Sequence, residues 1–143
     1  MSAEGKLGRV LFFRISEDED LLDAVTQSAK QNDVKAGIFF LIGTLKNAVL
    51  GYYHEGKYES INIDEPLEIA SCVGNVSVKD SGELVIHGHM VVSNRKGEAF
   101  GGHLMPGCKV AATVELVMIE AKETTLLRKF DEKTKLYLWF LEK

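Results

Sequence analysis

Cysteine is scarce in this chain of 143 residues: there are two, Cys72 and Cys108, far apart and set among apolar neighbours. No apolar segment follows Met1 in Met1-Ser2-Ala3-Glu4-Gly5-Lys6, so the signal-peptide pattern is missing as well. Together these absences argue for reduced core thiols over a disulfide framework, and for a cytoplasmic protein. Long apolar runs are also lacking. The longest, Ile38 to Ile42, falls far short of the ~20 residues a spanning helix needs and reads as a buried strand, so no membrane partner is expected. Positive charge is not in excess: 17 Lys and Arg stand against 21 Asp and Glu, a net charge of −4. The field that carries non-specific DNA binding is therefore weak or repulsive here. Gly97, Gly101, Gly102 and Gly107 make no phosphate loop, because neither a Gly-Lys-Ser/Thr ending nor a following helix is present. No Ser/His/Asp order or activated-cysteine context stands out.

What remains is an ordinary globular composition, 45% hydrophobic and 27% charged, without linker, repeat or low-complexity tract. Residues 1–143 read as one domain. Leu7 to Ile15 is rich in β-branched and aromatic residues and predicts a first strand. Ser16-Glu17-Asp18-Glu19 has the capping-box pattern, and Leu21, Leu22, Val25 and Ala29 recur at helical spacing, predicting one amphipathic helix to about Asn32. From there the signal is β. Gly37 to Leu45 and Ala48 to Tyr53 are separate apolar runs, and Glu55-Gly56-Lys57 turns the chain into Tyr58 to Ile63. Pro66 marks a break before Leu67 to Val78, where Gly74 signals a bulge or a close backbone approach. In Lys109 to Ala121 the even positions Val110, Ala112, Val114, Leu116 and Met118 make one apolar face, and Leu136 to Leu141 is a last strand. Arg95-Lys96 and Arg128-Lys129 read as solvated basic pairs. The fold class expected is α+β, one helix on a largely antiparallel sheet. Apolar residues on both faces of several strands, Val85 and Val91 among them, indicate a second surface covered by the rest of the domain or by another subunit.

The chemistry concentrates between Leu84 and Leu104. His87 and His89 stand two apart in a β-forming run and so share one sheet face, while Asn94-Arg95-Lys96-Gly97 turns the chain back towards Gly101-Gly102-His103. A third imidazole returned by this hairpin would complete a three-histidine metal site, for zinc or a similar divalent ion, with a fourth position open. Gly101 and Gly102 would let the returning backbone sit close to the histidine face. Glu68, Asn75 and Glu115 are candidate acceptors for the imidazole N–H that faces away from the metal. The alternative account is three half-buried histidines bonded to backbone or water. Tyr52, Tyr53 and Tyr58 flank a hairpin and suit either cross-strand packing or stacking on a ligand.

With Arg14, Asp20-Leu21, Gly43, Leu45, Glu68, Gly74-Asn75, His87-x-His89, Gly101-Gly102-His103-Leu104, Gly107 and the run to Glu115, the chain resembles the PPC family. This is the plants-and-prokaryotes conserved domain, once filed as a domain of unknown function. The resemblance spans essentially the whole chain and implies an α+β homotrimer that binds metal through the three histidines. It also makes Glu68 the candidate general base, though a salt bridge to Arg14 accounts for that carboxylate equally well, and it adds Arg14 to the possible ligand-binding residues. Plant members carry an Arg-Gly-Arg AT-hook that enters the DNA minor groove; this chain has none. The function expected is that of a stand-alone, metal-binding PPC protein acting on or holding a small molecule. The alternative is a DNA-associated or regulatory interaction module.

Overall fold

The computed structural model describes residues 1–141. Among them the order of elements is β1 (Lys6–Ile15), α1 (Leu21–Gln31), β2 (Gly37–His54), β3 (Lys57–Ile63), β4 (Leu67–Lys79), β5 (Leu84–Ser93), β6 (Ala99–Leu104), β7 (Lys109–Lys122), β8 (Leu127–Asp131) and β9 (Leu136–Trp139). This is a single domain, mostly antiparallel sheet with one helix; β4 and β8 pair in parallel. Among the described residues no helix is long and apolar enough to cross a membrane.

The 18-residue strand β2 organises the sheet. The sequence suggests two strands here, but the backbone runs through Lys46-Asn47 unbroken and changes partners instead. Its first half lies between β4 and β7, and its second half pairs with β3 and β6. Because β4, β5 and β6 link the two halves in turn, β2, β4, β5 and β6 form a closed circuit. Closure puts Phe39, Leu41, Leu50, Cys72, Met90 and Leu104 in the interior. Gly74 faces Gly88 across β4 and β5 with Phe39 beside them. A Cβ on Gly74 would collide with Phe39 Cζ and the His87 carbonyl oxygen, and one on Gly88 would lie 3.0 Å from Phe39 Cζ. The pair is thus a slot for one aromatic ring, the close approach that Gly74 signals. The bulge in β4 lies elsewhere, between Ile69 and Ser71.

Helix α1 closes the core with Leu21, Val25 and Ala29, spaced four apart on one stripe and fully buried. Its N-cap is Asp20, not Ser16. Asp20 Oδ1 accepts from the Asp23 N–H at 3.2 Å while Oδ2 accepts from the Gly107 N–H at 2.7 Å, so one carboxylate caps the helix and ties it to the turn before β7. Half of the capping box forms: Glu19 Oε2 accepts the Ser16 N–H at 2.7 Å. Residues 18–21 are drawn alongside β7 by backbone bonds of Asp18 and Val110, and this delays the helix.

In β7, Val110, Val114, Leu116 and Met118 are buried as expected, but Ala112 is exposed. Gly43 pairs with Val114 and Leu45 with Val110, so β7 spends two extra residues there, and Thr44 Oγ1 takes the Ala112 N–H. Strand β8 is absent from the sequence-based expectation, and the last strand ends at Trp139, earlier than Leu141. Cys72 and Cys108 are buried and unbridged. Burial pushes their thiols up to about 12 and about 11, so neither is a thiolate at neutral pH.

Candidate metal centre

The β5–β6 hairpin is set by Asn94, whose Oδ1 accepts from the N–H groups of Lys96 and Glu98, and by Gly97 at φ 77°. This turn fixes a register in which His89 pairs directly with His103, and His87, two residues earlier, shares their face. Ring centroids lie 5.2 Å (His87–His89), 5.1 Å (His87–His103) and 5.6 Å (His89–His103) apart, and one ring nitrogen from each falls within 4.8 Å of the others. His89 is exposed; His87 and His103 are half-buried. Tyr58 stacks on His103 at 4.5 Å and holds that ring in place, the packing alternative for this tyrosine. His103 Nδ1 is buried with no hydrogen-bond partner, an anomaly that a metal–nitrogen bond would remove. Three imidazole donors without a thiolate suit zinc and neighbouring divalent metals.

Burial, with repulsion from His87, His89 and Arg128, lowers His103 from the ordinary 6.5 to about 4. His87 is lowered by burial first, then by Arg128 and His89. Both rings are therefore neutral at pH 7 and keep a lone pair. The unfolded chain takes up protons near pH 6.5 and folded His103 only near 4, so the folded state loses stability as pH falls across that window and keeps it fully above. Metal-free protein is expected to show a falling urea midpoint from pH 6.5 to 4, with a flatter profile in His103→Asn. Parallel profiles for the two proteins would reject this assignment.

Arg128, which the sequence suggests is solvated, is 6% exposed. It lies on β8 opposite Trp139 of β9 and reaches over the same face as the histidines. Its Nε donates to Ser77 Oγ at 2.6 Å, one terminal nitrogen to the Tyr137 carbonyl at 2.8 Å, and the other to Asn75 Oδ1 at 2.9 Å, with His87 Nδ1 at 3.3 Å. Asn75 thus stands beside His87 across β4 and β5 and acts on it through Arg128. The apolar residues flanking Arg128, Leu126-Leu127 and Phe130, are the signal that a strand passes here. A recess of about 480 Å³ opens beside His87 and His89, walled by Ile38, Phe40, Val73, Asn75 and Trp139.

The other sequence candidates lie elsewhere. Arg14 and Glu115 pair across β1 and β7, on the far side of β2's first half from the histidine strands. Glu68 is exposed and pairs with Ser93, four residues along β5 from His89. Among the described residues Glu68 and Arg14 form no ion pair with each other. The close approach of Gly102 is to β2, since a Cβ there would lie 2.9 Å from the Gly51 carbonyl oxygen; Gly101 has ordinary room.

The family model for the Plants and Prokaryotes Conserved (PCC) domain matches residues 2–122. The chain belongs to this family. Its PCC domain therefore carries all three histidines, whereas β8 and β9 follow the matched region. A plant- and prokaryote-conserved (PPC) protein from Pyrococcus horikoshii is 36% identical with a TM-score of 0.91, covering 100% of this chain and 99% of that one. A metal-containing protein from Archaeoglobus fulgidus is 31% identical with a TM-score of 0.90, covering 99% of this chain and 100% of that one. The bifunctional protein GlmU of Synechococcus sp. (strain JA-3-3Ab) is 29% identical over 127 residues, 88% of this chain. The chain spans only 19% of that protein's length, so the PCC domain is similar to a small part of it.

Proposed function

We propose that this PCC domain holds one divalent metal, zinc, through His87, His89 and His103, and binds or acts on a small molecule in the adjoining recess as a homotrimer in the cytoplasm. The observation that carries the reading is the convergence of three imidazole rings on one face, a nitrogen of each within 4.8 Å of the others, with His103 Nδ1 buried without a partner. The metal-containing relative from Archaeoglobus fulgidus supports it. Zinc bound by three histidines supplies a Lewis acid and an acidified water. Among the described residues no carboxylate walls the recess to serve as a general base, which favours ligand binding over hydrolysis. Protonated, unbridged thiols fit a reducing compartment.

The same face supports self-association. Phe12, Ile38, Ile42 and Val73 are 75%, 52%, 56% and 56% exposed, an apolar expanse that water disfavours. Its apolar character and the net charge of −4 speak against DNA as the partner. Light scattering on a size-exclusion peak, with metal analysis of the same fractions after zinc incubation, tests both parts. We expect three times the 15.9 kDa chain mass and one zinc per chain, with the zinc lost in His87→Ala/His89→Ala. Equal zinc in the two proteins sinks the metal reading, and a monomer mass sinks the trimer.

A further inference from the structure

Among the described residues the charge on Arg128 has no counter-ion. Its partners Ser77, Asn75, His87 and the Tyr137 carbonyl are all neutral, and among the described residues no Asp or Glu pairs with it. A buried cation without a counter-ion is costly, unlike the solvated lysine ion pairs Lys6–Glu123 and Lys46–Glu17. Three of the groups it touches, Asn75, His87 and the Trp139 ring at 5.8 Å, wall the recess, so the guanidinium stands directly behind that wall.

The contact with His87 adds a second argument. A guanidinium can only donate, so His87 Nδ1 must accept from it. A metal on Nδ1 would take that lone pair. A metal on the other ring nitrogen would leave a proton on Nδ1, and two donors would then face each other. Loading the triad therefore deprives Arg128 of one acceptor while adding positive charge nearby. Apart from His89, the remaining wall is apolar: Ile38, Phe40, Val73 and Trp139 offer hydrocarbon and an indole face.

We propose that the recess takes a small carboxylate with an apolar body, and that Arg128 sets the preference for its charge. The inference rests on the metal reading only for the second source of positive charge. Trp139 is the only tryptophan in the chain, so its fluorescence reports on the recess. Benzoate and benzamide, alike in shape and different in charge, are titrated into zinc-loaded and EDTA-treated protein, with zinc content measured in parallel. Saturable quenching is expected with benzoate binding at least ten times more tightly than benzamide, and Arg128→Gln should bring the two within about twofold. Equal binding of the two probes, or no saturable response, overturns the inference whatever the zinc content. So does an undiminished preference in folded Arg128→Gln. If that variant fails to fold, the comparison in the unaltered protein decides. A benzoate preference in protein that takes up no zinc supports the carboxylate inference and rejects the metal reading, which keeps the two failures apart.

Discussion

Saturating zinc is expected to stabilise the fold by about 4 kcal/mol when free zinc is roughly 1,000 times its dissociation constant, because a ligand that binds only the native state adds RT ln(1 + [L]/Kd). His89→Ala should erase this gain and leave the metal-free protein almost unchanged. The asymmetry follows from burial. His89 is exposed, so its truncation removes a proposed metal ligand and little else. His87 and His103 are poorer probes, since one contacts Arg128 and the other stacks on Tyr58 at 4.5 Å, and their variants would mix packing losses with metal losses. Urea unfolding at pH 7.5, with and without zinc, separates the contributions. The same zinc stabilisation in His89→Ala as in the unaltered protein would remove His89 from the site.

Gly74→Ala is expected to cost about 3 kcal/mol or more, at the upper end for overpacking a core. Replacing a strand glycine by alanine ordinarily helps slightly, because glycine loses more conformational freedom on folding. Here the added carbon meets the Phe39 ring on one side and the His87 backbone carbonyl on the other. The ring can tilt only into a filled interior, and the carbonyl belongs to the β4–β5 ladder. Relief thus requires the ladder to open at a histidine, so the variant should also bind zinc more weakly. Gly101→Ala is the matched comparison, since a Cβ there meets nothing closer than 3.4 Å and should cost under about 1 kcal/mol. Similar unfolding midpoints for the two variants would show that Gly74 is not the tight position described.

The histidine strand was legible because period-2 alternation needs no knowledge of the partner strand: His87 and His89 share a face wherever β5 lies. The stripe of Leu21, Val25 and Ala29 announced α1 for the same local reason. Features that depend on distant partners were not legible. Asp20 outcompetes Ser16 as the cap because Gly107 and the start of β7 hold its carboxylate and backbone in place. The two halves of β2 look like separate strands because the hydrophobic pattern falters at Lys46-Asn47, where partners change but extension does not. Arg128 looks solvated because its burial depends on acceptors at Ser77 and Asn75, about fifty residues earlier. The surroundings of Arg14, Glu68 and Glu115 depend in the same way on which strands become neighbours.

Phe12, Val117, Phe40, Val73, His89 and His103 form one cross-strand row over β1, β7, β2, β4, β5 and β6. Slipping β5 by a single residue would turn both of its imidazoles inward and bring Gly88 and Met90 out in their place. An ion held by the proposed triad would therefore penalise a slipped pairing of β5 with β6. Occupancy would then act as a proofreader of that alignment, favouring the correctly threaded hairpin over its near misses.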